Sequence, residues 1–152
     1  MTENDKKPTQ AEIEQKIHGQ SVDWYLLHLV SLANENGLEF GLTLTVGGSI
    51  VSGTLISGKK YFETFASDLS SAWPGDEDAK EIIRSSFAGW SAIYNRKKED
   101  DDDRPPPQYI HLSNARVHTP QGSLPTNTGV LWRGKINAVS GFSLGSFTIG
   151  DA

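Results

Sequence analysis

Cysteine is absent from this chain of 152 residues. That excludes a disulfide framework, a thiolate zinc site and a cysteine nucleophile. Long apolar runs are missing too: no stretch approaches the roughly 18 consecutive apolar residues that a membrane helix needs. The opening MTENDKKPTQAEIEQK contains no apolar signal region. Positive charge is in deficit, with 14 Lys and Arg against 19 Asp and Glu, a formal net charge of −5. Neutralising phosphates takes clustered cations, so nucleic acid is not an expected partner. These absences describe a soluble cytoplasmic protein with no membrane partner.

What is present describes one globular body. Hydrophobic residues make up 36% and charged residues 22%, enough for a core with polar flanks. Residues 1–20 read as a disordered N-terminal tail, and 21–149 as a single domain. Ser21 is the expected N-cap of a first helix, with Asp23 in its first turn. Val22, Tyr25, Leu26, Leu29, Val30 and Ala33 recur at helical steps, and Gly37 suits the left-handed position after the last turn.

Leu38, Phe40, Leu42, Leu44 and Val46 alternate as a half-buried strand does. Gly47-Gly48 reads as a two-residue type I′ turn, whose central positions both need positive φ. The return strand is expected to run on through Ile56 to Tyr61, Phe62 and Phe65, with a bend or bulge at Gly53. Residues 66–108 read as an insertion. It holds a helix over about 76–96, with Ala79, Ile82, Ile83, Phe87, Trp90 and Ile93 on its apolar face. An acidic and proline-rich linker follows over 98–107. Strands resume in YIHLSNARVHT and VLWRGKINAVSGFSLGSF.

Several spellings imitate catalytic or binding motifs. GTLISGKK, residues 53–60, lacks only a final hydroxyl from a phosphate-binding loop. Such a loop needs a glycine-rich turn between strand and helix, whereas Thr54 to Ser57 are strand formers. GFSLG, residues 141–145, spells a nucleophile elbow, but no histidine lies downstream of Ser143 and too few residues follow for the required helix. His111 and His118 are seven apart, which on a regular strand puts them on opposite faces. The acidic run at 100–103 lacks the alternation and glycine of a calcium loop. The expectation is therefore no catalytic, cofactor or metal residues, no small-molecule substrate and no enzyme activity.

Helix, LEFGLTLTVGG, SIVSGTLISG, YIHLSNARV, TGVLWRG and INAVSGF, in that order, resemble the Sm-like fold. The resemblance implies a mainly β protein with helices (α+β). An N-terminal helix would precede a small Sm-like five-stranded antiparallel barrel, with a helical insertion between strands 2 and 3. Gly53 takes the place of the bend glycine, and Arg133-Gly134 that of the Arg-Gly pair in the second Sm motif. The Asp and Asn that read RNA in the first motif are missing, and Tyr109 stands near the Asn position. Ile136 comes one position early. An Sm-like RNA-binding protein is the alternative that this likeness carries.

VGGSIVSGTLISGKKYF, YIHLSNARV and VLWRGKINAVSGFSLG are more closely similar to the gas vesicle accessory protein GvpU family. That resemblance implies a non-enzymatic accessory protein, distinct from the main shell subunit and linked to the clustering of vesicles. Its implied partners are itself, as a homo-oligomer, and the gas vesicle shell protein, and its implied location is on gas vesicles. The candidate interface residues are Tyr109, Trp132, Arg133, Lys135 and Phe142. Unpaired strand edges, expected in YIHLSNARV and VLWRGKI, would be the route of self-association, with Tyr109 and Trp132 as aromatic anchors.

Overall fold

A computed structural model describes residues 7–10, 12–13, 22–95 and 105–147. Helix α1 spans Trp24–Asn36. Its N-cap is Asp23 rather than Ser21: the Asp23 carboxylate accepts the N–H groups of Tyr25 and Leu26 at 2.8 and 3.3 Å. A carboxylate at this position also meets the positive end of the helix dipole. Gly37 closes the helix in the left-handed region, φ 67, its N–H bonded to the Ala33 carbonyl. Leu26, Leu27, Val30 and Ala33 are buried, so Leu27 widens the expected stripe.

Six strands form one antiparallel sheet: β1 Phe40–Val46, β2 Ser49–Ile56, β3 Tyr109–Thr119, β4 Gly122–Leu124, β5 Val130–Lys135 and β6 Val139–Leu144. The order is β4-β3-β2-β1-β6, and β5 also pairs with β3. β1 and β2 meet through Gly47 (φ 55) and Gly48 (φ 82), the two positive φ values that a type I′ turn requires. Gly53 sits where the β2–β3 register shifts. A Cβ there would stand 2.8 Å from the Ser113 carbonyl oxygen. On the facing strand Asn114 takes φ 49, so both strands bend together.

The sheet does not close. Among the described residues β5 bonds only to β3 and β6 only to β1, which corrects the expected barrel. β3 is also no edge, since β2 lies along one side of it and β5 then β4 along the other. Its length explains this: after the bend at Asn114, the first half supports β5 and the second half β4. Among the described residues the unpaired edges belong to β6 on one side of the sheet and to β5 and β4 on the other.

One face of the sheet carries the main core. Leu42, Leu44, Val51, Leu55, Ile110, Leu112, Ala115, Ile136 and Val139 pack there under α1. Each fully buried Leu or Ile contributes roughly 1.5–3 kcal/mol of transfer free energy. The opposite face is covered in part by a helical hairpin, α2 Gly58–Ala72 and α3 Glu77–Ala88, extended by a 3₁₀ turn Gly89–Tyr94. Two expectations are corrected here. Tyr61, Phe62 and Phe65 lie on α2, not on a continuing strand. The expected helix over 76–96 is a helix and a 3₁₀ turn, changing at Gly89. The expected N-terminal tail and acidic linker fall largely outside the described residues.

Candidate functional site

The strand–helix junction at the false phosphate loop is now explicit. Thr54 to Ile56 are in β2, and only Ser57 separates them from α2, so no loop exists to cradle a phosphate. The helix that was not expected there is present, but its first N–H groups are engaged. Asn34 Oδ1 accepts from Gly58 N at 2.9 Å, and Ser57 Oγ from Lys60 N at 3.0 Å. Lys60 pairs with Glu39. The second imitation is a strand as well, because Ser143 lies in β6 opposite Thr43.

The bend at Asn114 changes where the histidines point. Core residues of β3 are Ile110 and Leu112 before it and Ala115 and Val117 after it. His111 and His118 therefore share the face away from α1, against the opposite faces expected for a regular strand. They remain separate: His118 Nε2 meets Ser52 Oγ, while His111 is buried beneath the helical hairpin. His28 is exposed on α1. Among the described residues no group of three or more His, Asp or Glu side chains could hold a metal ion.

His111 is the centre of a second packed cluster. Its ring lies 4.7 Å from Tyr61, 6.1 Å from Phe62 and 6.3 Å from Tyr94, centroid to centroid. Arg133 on β5, its register partner, donates Nε–H to His111 Nε2 at 3.1 Å. That bond makes Nε2 the acceptor and leaves the proton on Nδ1. Nδ1 has no hydrogen-bond partner among the described residues; the surrounding aromatic rings offer it only the weak acceptor of their π electrons. Burial, and secondly the Arg133 guanidinium, push the His111 pKa down to about 4. Burial also raises the Tyr94 hydroxyl above its ordinary value, and Arg133 opposes this. A charged imidazole here would sit unsolvated beside a fixed cation, so His111 is neutral.

The five candidate interface residues do not form one patch. Tyr109, Arg133 and Lys135 share the face away from α1, where the guanidinium stacks on Tyr109 with Cζ 3.7 Å from the ring centroid. Trp132 turns to the other face, packs against the core and lies over Gly134. Phe142 is on β6 at the far edge, where it packs against the core and contacts Tyr25. Arg133 is thus tied to His111 and Tyr109, and no hydrogen bond from it to a carbonyl is found among the described residues.

The sequence reading missed the Tyr61–Phe62–Tyr94–His111 cluster because it placed residues 58–65 in a strand. The signal was present in two forms. Ser57 stands three residues before Lys60 as an N-cap, and Phe62, Ala66 and Ser70 repeat every fourth position. Ile82, Trp90 and Ile93 lie on the apolar face that the sequence implies, but that face is not buried. They are 66%, 63% and 49% exposed, and α3 has no buried residue.

The family model described as Gas vesicle protein GvpU-like matches residues 23–147. Comparisons with curated proteins and with solved structures find no match.

Proposed function

This chain belongs to the GvpU-like family of gas vesicle proteins, and from that premise we propose that it is a non-enzymatic accessory protein that self-associates and binds gas vesicles, promoting their clustering. The observation that carries the reading is the open sheet. Among the described residues β6 on one side of the sheet, and β5 and β4 on the other, are each paired on one side alone, and an unpaired strand edge is a template for another strand. The two edges lie on different strands, so pairing β5 of one copy with β6 of another is head-to-tail and can continue through many copies. A protein that links to its own copies while holding a vesicle brings vesicles together. The proposed partners are a second copy and the gas vesicle shell protein, and the proposed location is the vesicle surface in the cytoplasm. Among the described residues no helix is long and apolar enough to cross a membrane. The Sm-like RNA-binding alternative finds no support in the fold or in the family match.

The experiment is flotation of purified gas vesicles with the purified full chain, followed by turbidity and microscopy. The chain is expected to float with the vesicles and to cluster them. Recovery of all the chain from the vesicle-free fraction, with dispersed vesicles, overturns the reading.

A further inference from the structure

Strands β3, β4 and β5 contain no Asp or Glu, although the whole chain has a formal net charge of −5. Arg133 and Lys135 stand two positions apart on β5, on the face away from α1, and both are exposed. The ion pairs among the described residues are Lys60–Glu39 and Arg84–Glu81, so neither β5 cation has a carboxylate partner. Arg133 is nonetheless fixed in place. Its Nε–H is bonded to His111 Nε2, and its Cζ lies 3.7 Å from the Tyr109 ring centroid and 5.6 Å from that of Phe62. Neither of its Nη groups makes a hydrogen bond among the described residues. A guanidinium oriented in this way, with its fork unused, is preorganised to take a carboxylate bidentately.

The position on an edge strand says what form the carboxylates take. A segment added beside β5 forms main-chain hydrogen bonds, and its alternate side chains face alternate side chains of β5. Residues two apart on a strand are separated by ~6.5–7 Å along it. Carboxylates at alternate positions of the added segment therefore fall opposite Arg133 and Lys135 together. We propose that the β5 edge docks an extended acidic segment of a partner protein, Arg133 holding one carboxylate in its Nη fork and Lys135 pairing with another two residues away. Strand β6 of a second copy can share this edge but answers neither cation, because Val139–Leu144 contains no charged side chain. Nucleic acid fits less well, since two cations do not neutralise a track of phosphates. An acidic segment bound here competes with head-to-tail growth at β5. The docking site itself stands on the β5 cations and not on that growth.

The probe is a fluorescein-labelled peptide of alternating Thr and Glu, with alternating Thr and Gln as control, titrated with the full chain by fluorescence anisotropy. The Glu peptide is expected to bind on the order of tenfold or more tighter than the Gln peptide, and more weakly as salt screens the pairs. Arg133→Lys keeps the charge but removes the fork, and should weaken binding about tenfold. Lys135→Gln leaves the packed cluster alone and should weaken it roughly threefold. Circular dichroism of each variant checks the fold. Bound Glu peptide should also slow amide exchange across Val130–Lys135. Equal binding of the two peptides overturns the proposal, as does indifference to both substitutions or protection that bypasses β5. Oligothymidylate bound as tightly as the Glu peptide overturns it too, and identifies a phosphate-binding surface instead. Vesicle flotation is measured without peptide, so this site can fail while the preceding reading stands, and the reverse.

Discussion

At the scale of single residues, His111 is the most informative side chain. It is 1% exposed and its pKa lies near 4, so the unfolded chain takes up a proton before the folded chain does. Between the ordinary value of 6.5 and about 4, the unfolded state binds more protons, and stability falls as pH falls through that window. Above 6.5 both states are neutral and the effect is gone. The displacement corresponds to about 3 kcal/mol at the acid end. The expected outcome is that His111→Phe flattens the pH dependence of unfolding free energy between pH 6.5 and 4 by roughly that amount. Urea unfolding of both proteins across the window measures it, and parallel slopes for the two would sink the assignment. Gly53 is a second residue with a single physical requirement. An added Cβ would press on the Ser113 carbonyl and the Ala115 Cα, backbone atoms that cannot step aside. Gly53→Ala should cost about 1–3 kcal/mol, read from the shift in the urea midpoint.

Among the elements, the two layers differ in how firmly they are held. The face under α1 contains almost all the fully buried aliphatic side chains. The hairpin rests on Ile56, Ala66, Ser70 and the His111 cluster, and α3 buries no residue. Local opening free energy follows buried apolar contact. Amide exchange should therefore run fastest in α3 and slowest in β1, β2 and the first half of β3. Equal protection of α3 and β2 would contradict this. The β2–α2 junction carries its own outcome. With the Gly58 and Lys60 N–H groups already accepted by Asn34 and Ser57, ATP and GTP should leave the melting temperature unchanged. A nucleotide-dependent rise lost on Lys59→Ala would reverse that conclusion.

For the whole molecule, the question is how many ways it can join to itself. An isologous contact alone stops at a dimer, whereas two unlike edges continue. Leu144 ends edge strand β6 and is 79% exposed, and a lysine on an edge strand blocks strand addition. Leu144→Lys should therefore shift the protein to smaller species in sedimentation velocity, while the wild type forms larger ones. Unchanged large species in the variant would remove β6 from the assembly.

Periodicity and turn chemistry were sufficient wherever one local rule acted without competition. The alternation of Leu42, Leu44 and Val46, the Gly47-Gly48 turn and the Gly37 cap are each set by near neighbours, and each appears as the sequence implies. Family membership was legible too, because VGGSIVSGTLISGKKYF, YIHLSNARV and VLWRGKINAVSGFSLG are continuous blocks. Tertiary structure decided the rest. Tyr61, Phe62 and Phe65 have strand propensity, yet they are helical: as part of α2, Tyr61 and Phe62 lie against His111 and Phe65 meets Phe87 of α3. The Asn114 bend, invisible to a period of two, carried His111 and His118 to one face and let β3 support both β4 and β5. Closure of the sheet depends on whether its two edges come within hydrogen-bonding reach, a long-range distance that no local pattern encodes. The same limit applies to Ile82, Trp90 and Ile93. A helical stripe shows that a face is apolar, but only the packed chain reveals that its own fold leaves that face bare.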